Sequence, residues 1–382
     1  MKPSLASALF FVFSCLSFCA DGTGNDLKIR ILISGKSSHS TLNTYGDVII
    51  SDASGRKFKL VPNATYIIKS DSENFLYLSK EKLSSPVDFF IPDGKNFLKV
   101  NGKKYKGNLR AISHRDGSLN IVEEISFEKY LLGVLAPEMG PDWPIEALKA
   151  QAVASRTYAA RLLRKSGDYD IGNDTSHQVY TGLEKVNPSI IEAVSSTRGD
   201  VLYYNGRLIT AFFHACCGGR TTSPSAAFEG DVIKPLKGVS DPYCKVSNHY
   251  DWDMNVSEYD LLRLIQKNGS TALKLKGVRI YSKDRSGRAV KLNFQTDRGS
   301  FKMETRDIRK AFGYFEFKST FITRIEKTKK GYVFYGKGWG HGVGMCQEGA
   351  KVMAKKGFSY KKILTYYYPG ARITDIEKFF SK

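Results

Sequence analysis

Phe127 to Lys165 reads FEKYLLGVLAPEMGPDWPIEALKAQAVASRTYAARLLRK, and it sets one acidic residue, Glu138, in an apolar turn directly ahead of a long helix of small residues. Leu135, Ala136, Pro137 and Met139 flank that acid. A carboxyl desolvated by such neighbours favours its neutral form, and a carboxylic acid that keeps its proton near neutral pH can act as a general acid. The competing reading is a solvated loop residue or a helix-capping acid, and residue chemistry alone leaves both open.

The helix itself has clear ends. Pro144 suits the first turn, where its missing N–H costs nothing, and Glu146 complements the positive end of the helix dipole. Arg164 and Lys165 close the last turn, with Gly167 beyond. The spacing predicts a helix from Pro144 to Lys165, roughly 33 Å long. Alanines at 147, 150, 152, 154, 159 and 160 allow close packing on both sides, as in a central helix. Arg156 and Tyr158 are its polar groups with reach into a neighbouring cleft. A guanidinium there binds an anionic or hydroxyl-rich ligand or orients a carboxylate; the alternative is an interior salt bridge.

Outward from this segment, the 382 residues are 42% hydrophobic and 12% aromatic, which gives enough apolar surface to fold and excludes a disordered chain. At about 100 to 200 residues per domain, two units are expected. Residues 1–20 read as a secretory signal peptide: Lys2, an apolar run from Leu5 to Phe18, then Cys19-Ala20 ahead of polar Asp21. No other apolar run approaches the length of a membrane span. The mature chain is therefore expected outside the cytoplasm, in the periplasm or cell envelope. Leu16-Ser17-Phe18-Cys19 partly resembles a lipoprotein site, but bulky Phe18 argues against lipid attachment at Cys19. The net charge of +20 draws the protein to polyanions, and behind a secretory signal the acidic polymers and sugars of an envelope are better candidates than nucleic acid.

From Asp26 to about residue 120 the pattern is a β-rich unit, opened by Leu27, Ile29, Ile31 and Ile33 in alternation with polar residues. Residues 121–376 follow as a mixed α+β unit, across a soft boundary without linker or repeat. A hairpin is expected at Val201–Tyr204, Asn205-Gly206 and a second strand from Arg207 that delivers His214 to Ala215-Cys216-Cys217-Gly218-Gly219. The diglycine Gly218-Gly219 invites a ligand to approach backbone. Alternating glycines around His341, in Gly338-Trp339-Gly-His341-Gly-Val-Gly, offer the same, and Trp339 gives a face on which a sugar ring can stack. The lack of a Gly-Lys-Ser/Thr ending excludes a phosphate loop.

Beyond the signal stand Cys216, Cys217, Cys244 and Cys346, an even number for an oxidising compartment. A Cys217–Cys244 disulfide explains them most simply. The alternative is zinc on His214, Cys217, Cys244 and His249, whose spacings are tolerable for that ion. Cys216 and Cys346 are then buried thiols or a second pair.

Taken together, five motifs in order resemble the SpoIID/LytB family of bacterial cell-wall proteins. They are Glu128-Lys-Tyr-Leu-Leu-Gly-Val-Leu-Ala-Pro-Glu138-Met; Trp143 through Arg156-Thr-Tyr158-Ala; Gln178-Val-Tyr180-x-Gly; Cys217-Gly-Gly-x-Thr; and Gly338-Trp-Gly-His341-Gly-Val-Gly-Met-x-Gln347-x-Gly-Ala. The resemblance spans about Asp26 to Arg372, and Tyr366-Tyr-Tyr-Pro-Gly is similar to the family's carboxyl-terminal signature. It implies a lytic transglycosylase acting on peptidoglycan glycan strands, in some relatives on strands stripped of peptide by an amidase. Glu138 matches the catalytic glutamate and Arg156 an active-site arginine; Tyr158, Gln178, Tyr180, His214, Gly218, Gly219, Trp339, His341 and Gln347 are the expected substrate-binding set. Cys346 departs from the pattern where a serine is common, and Glu348 where a tyrosine is common. No cofactor is expected beyond the open question of zinc. The other role attached to the family is that of a non-catalytic wall-binding protein that recruits or enhances an amidase.

Overall fold

In the computed structural model, which describes residues 27–140, 142–164, 166–173, 178–228 and 233–380, the opening alternation becomes a strand, Lys28–Ser37, with Ile29, Ile31 and Ile33 turned inward. The expected leader and Cys19 lie outside the described residues. Lys28–Ser37 pairs antiparallel with Leu119–Ser126 inside a seven-stranded sheet, in the order Ile171–Gly172, Lys28–Ser37, Leu119–Ser126, Asn108–Ser113, Val87–Phe90, Ile49–Asp52, Lys57–Lys59. A six-stranded sheet runs Lys103–Tyr105, Phe97–Val100, His39–Tyr45, Thr65–Ser70, Phe75–Leu78, Glu81–Ser84. The two sheets share one hydrophobic core, with Ile31, Leu42, Ile68, Leu98 and Ile121 in it. Strand Leu119–Ser126 crosses the boundary expected at residue 120 and carries the chain straight into the first helix.

That helix, α1 (Phe127–Glu138), is capped by Ser126, whose hydroxyl accepts from the Lys129 N–H. It buries Phe127, Tyr130, Leu131, Val134 and Leu135, spaced as one face of a helix requires. Glu138 is thus the last helical residue and does not sit in a turn. Pro137 reads locally as a breaker, because its ring disfavours helical geometry at the residue before it. The helix nevertheless continues through it, and the Met139 N–H still reaches the Leu135 carbonyl.

Helix α2 (Ile145–Leu162) is central, as its alanines predict. Ala147, Leu148 and Ala152 face the core of the two sheets, while Ala150, Val153 and Ala154 face a second core. It stops three residues before the expected end. The Asp170 carboxylate accepts the Arg164 N–H at 2.9 Å, and Arg30 donates to the Arg164 carbonyl, so a tertiary contact removes groups that another helical turn needs.

Helix α3 (Pro188–Ser195), capped by Asn187, precedes the hairpin. Asp200–Tyr204 and Arg207–Leu208 flank a turn with φ of 50° at Asn205 and 74° at Gly206, as a type I′ turn requires, and Arg372–Asp375 adds a third strand. The second strand of the hairpin ends at Leu208, however. His214 lies on a separate short strand, Phe213–His214, paired parallel with Met345–Cys346.

After the short α4 (Pro224–Ala227), a third core forms that the sequence reading folded into one unit. Asp251–Val256, Gly331–Lys337 and Ile322–Thr328 make one sheet and Leu275–Lys283, Ala289–Thr296 and Gly299–Glu304 another. With α5 (Glu258–Lys267) and α6 (Thr305–Phe312) they enclose Leu261, Leu292, Phe294, Ile308 and Phe334. Helices α7 (Gln347–Lys355) and α8 (Tyr360–Tyr367) return to pack on α2, and α9 (Glu377–Phe380) ends the described chain. The fold is α+β with a β-rich amino-terminal unit. Among the described residues no helix is long and apolar enough to cross a membrane.

Candidate active site

Three segments far apart in sequence converge on Glu138. The residue closes α1, is only partly buried, and accepts from Nε2 of Gln347, the first residue of α7, at 3.4 Å. The Val179 N–H also donates to its carboxylate. Burial pushes the Glu138 carboxyl above its ordinary range, against the smaller opposing pull of those two donors. The acid is therefore desolvated without being sealed off.

A chain of amides holds its partners in place. Gln347 Nε2 also reaches Gln151 Oε1 at 3.4 Å, and Gln151 donates to the Ser155 hydroxyl at 3.0 Å one turn along α2. Gln178 donates to the Ser155 carbonyl and accepts from the Tyr130 hydroxyl at 2.9 Å, which fixes the segment that carries the Val179 N–H. Gln178 and Gln347 thus lie at the site, Gln178 as a buried support. Tyr180 is fully buried: it stacks on Tyr130 with ring centroids 5.5 Å apart and lies so close to Gly133 that a Cβ there would sit 2.4 Å from its ring.

Arg156 does not reach the cleft. Its side chain is wholly buried, with Nε and Nη2 paired to the two Glu128 oxygens at 2.8 and 2.6 Å, and it donates further to the carbonyls of Asp200 and Val194. The interior salt bridge prevails because Glu128 sits ten residues before Glu138 on α1, where the fork of an arginine on α2 can lock the two helices together. Tyr158, two residues on, is part-buried and packs on Phe212 at 5.9 Å.

Phe212 begins an aromatic cluster that continues through Phe228 to His341 and His214, whose rings lie 5.4 Å apart. His214 donates from Nδ1 to the Val343 carbonyl at 3.0 Å, whereas His341 Nδ1 accepts the Val343 N–H at 3.0 Å. Both rings are neutral: burial and the neighbouring histidine depress His214, and burial with Arg309 nearby holds His341 at about 3. Beside this wall lies a cavity of about 690 Å³ bordered by Arg161, Arg207, Phe212 and Phe228.

The glycines serve the protein's own packing. Gly344, at φ 72°, runs so close to the Phe212 carbonyl that a Cβ would stand 1.9 Å from its oxygen, and at Gly342 a Cβ would meet the buried Arg288 guanidinium at 2.5 Å. Gly218 and Gly219 likewise abut Lys337 and Tyr250, not open space. Trp339 packs edge to face with His249 at 4.9 Å and Phe315 at 5.8 Å, and Lys318 approaches its ring.

The cysteines assemble differently from expectation. All four are free, and the Cys217 and Cys244 sulfurs are 3.5 Å apart, beyond bonding distance. His214 and His249 do not join them. Instead Cys217, Asp241, Cys244 and Cys346, all buried, bring their ligand atoms within 4.8 Å of one another.

A family model described as Stage II sporulation protein matches residues 115–204, which span α1, Glu138 and α2. Stage II sporulation protein D of Bacillus subtilis is 33% identical over 288 residues, covering 68% of this chain and 78% of that protein. The chain belongs to the SpoIID family. An uncharacterized protein of Brachyspira hyodysenteriae is 36% identical over 309 residues, covering 80% of this chain and 82% of its own. The Amidase enhancer of Bacillus subtilis is 30% identical over 370 residues, and this chain covers only 51% of it. A second model, described as a domain of unknown function (DUF8618), matches residues 231–344, the stretch that contains the third core.

Several residues of this SpoIID member escaped the sequence reading. Gln151 and Ser155 interrupt the alanine rows of α2 four residues apart, a visible sign of a buried polar track. Asp241, three residues before Cys244, is hidden by a motif search confined to His and Cys. Glu128 and Arg288 carry no local signal, for their roles depend on tertiary partners alone.

Proposed function

We propose that the protein is a peptidoglycan lytic transglycosylase that breaks the bond between N-acetylmuramic acid and N-acetylglucosamine and leaves 1,6-anhydro ends, with Glu138 as its one acid–base group. The observation that carries this reading is a single part-buried carboxyl, raised in pKa by desolvation, whose partners are an amide side chain and a backbone N–H. Neither group that hydrogen-bonds to Glu138 here, the Gln347 amide and the Val179 N–H, is a carboxyl. Hydrolytic glycosidases ordinarily need two carboxylates, one to activate water or attack the sugar. A reaction whose nucleophile belongs to the substrate needs one.

In the proposed step, protonated Glu138 gives its proton to the glycosidic oxygen as the C1–O bond breaks, releasing the neighbouring sugar as an alcohol. The carboxylate so formed takes the proton of the muramic acid C6 hydroxyl, and O6 closes on C1. Glu138 regains its proton, and no water is consumed. Val179 and Gln347 donate to the carboxylate during the interval in which it is charged, and the small ring closure depends on positioning more than on nucleophile strength. The glycan is proposed to run past Tyr158 and Phe212 toward the adjacent cavity, and the net positive charge draws the protein to acidic wall polymers. Action outside the cytoplasm, at the periphery of the envelope, follows from this substrate and from the leader read in the sequence.

A second reading, a wall-binding protein that enhances an amidase, draws on the relative that bears that name. The two separate by mass spectrometry of soluble products released from peptidoglycan, with and without amidase pretreatment. Under the proposal Glu138→Gln abolishes anhydro products while glycan retention persists. A fully active variant would sink the acid–base assignment, and retention with no products from either substrate would favour the second reading.

A further inference from the structure

Away from Glu138, the buried group of Cys217, Asp241, Cys244 and Cys346 has no part in the proposed chemistry. Three sulfurs and one carboxylate oxygen, mutually within 4.8 Å, form the donor set of a tetrahedral site. With zinc–sulfur bonds of about 2.3 Å, two sulfurs on one ion stand about 3.8 Å apart, close to the 3.5 Å between Cys217 and Cys244. A disulfide would use only two of the three sulfurs and would leave the Asp241 carboxylate buried against a bond that has no need of it.

The surroundings are those of ligands held from behind. Cys346 caps α7, and its sulfur accepts the N–H groups of Cys217 at 3.3 Å and Gly349 at 3.4 Å, which hold it in place. Asp241 Oδ1 accepts the Tyr243 and Cys244 N–H groups, and Oδ2 accepts the Tyr367 hydroxyl at 3.0 Å, so the carboxylate is fixed in orientation.

We propose that Cys217, Asp241, Cys244 and Cys346 form a closed structural site for a thiophilic dication, zinc by donor chemistry. The ion ties together the turn after His214, the turn at Asp241–Cys244 and the first turn of α7. Cys346 immediately precedes Gln347, so the site also fixes the residue that donates to Glu138. Sequence spacing alone could not reveal it, because Cys346 is about a hundred residues from Cys244 and Asp241 is not a habitual member of zinc motifs.

The test is the metal content of the whole chain, purified without chelator and under reducing conditions, measured by plasma mass spectrometry. About one zinc per chain is expected for a single closed site, released by a mercurial thiol reagent and detected with a zinc-sensitive dye. Cobalt exchanged into the site is expected to give sulfur-to-cobalt charge-transfer absorption. Cys244→Ser should lose the metal and lower the melting temperature; Cys346→Ser, which retains a hydroxyl to cap α7, should bind it at least tenfold more weakly while remaining folded. A folded wild-type chain that takes up neither zinc nor cobalt would overturn the proposal. So would a Cys217–Cys244 disulfide identified by peptide mapping of the chain purified without reductant. None of these readouts depends on glycan cleavage.

Discussion

The ionisation of Glu138 balances burial against two N–H donors, and Gln347 is the donor that mutation can remove. A general acid works while protonated, so activity should fall as pH rises through the Glu138 pKa. Gln347 favours the charged form and lowers that pKa; Gln347→Ala should therefore move the alkaline limb of the pH–activity profile upward, with a lower maximum rate. A limb that stays put or moves down would show that Gln347 does not govern the acid. Arg156 calls for the opposite kind of test. It pairs bidentately with Glu128 inside the protein, and Arg156→Ala leaves that carboxylate without its partner. The expected loss is about 3 to 5 kcal/mol in urea unfolding, whereas a ligand-binding arginine would change glycan affinity at near-normal stability. The sequence held both readings of Arg156 because a helical arginine among alanines looks alike in either role until its partner is known.

At the scale of elements, local patterning was a good guide wherever one face of a segment meets one core. The Ile29–Ile33 strand, the alanine helix and the Asn205-Gly206 turn all form where their periodicity and turn chemistry put them. It failed where a distant group intervened. Asp170 ends α2 early, and the parallel pairing of Phe213–His214 with Met345–Cys346 detaches His214 from the hairpin. The glycine-rich segment around His341 reads as an opening for substrate, yet its glycines admit the protein's own backbone and side chains. Gly344→Ala combines an unfavourable φ with an overlap against the Phe212 carbonyl, and should cost about 3 kcal/mol or more. Thermal and urea unfolding would measure it, and an unchanged midpoint would mean the two segments do not approach as closely as described.

Across the whole molecule, the class of fold was legible from the order of strand-like and helix-like stretches, and the third core was not. Residues 251–337 carry no linker, and their strands alternate as unevenly as those of the first unit, so nothing local announces a separate core. A global property also hides in the β-rich unit. Glu123 is fully buried, accepts the Lys106 and Gly107 N–H groups, and is lifted by burial to about 7. The folded chain then holds a proton that the unfolded chain releases near the ordinary glutamate value of about 4.3. Stability should fall as pH rises between those values and level off above pH about 7. Glu123→Gln should flatten that slope and raise stability at pH 8 by up to about 3 kcal/mol; an unaltered slope would remove Glu123 as its source. The central claim, that Glu138 alone carries both proton transfers and water takes no part, is tested most directly by digesting peptidoglycan in water enriched in oxygen-18 and weighing the new muramic acid ends. The account predicts anhydro ends free of the heavy isotope, while reducing ends that carry it would make the protein a hydrolase and contradict the account.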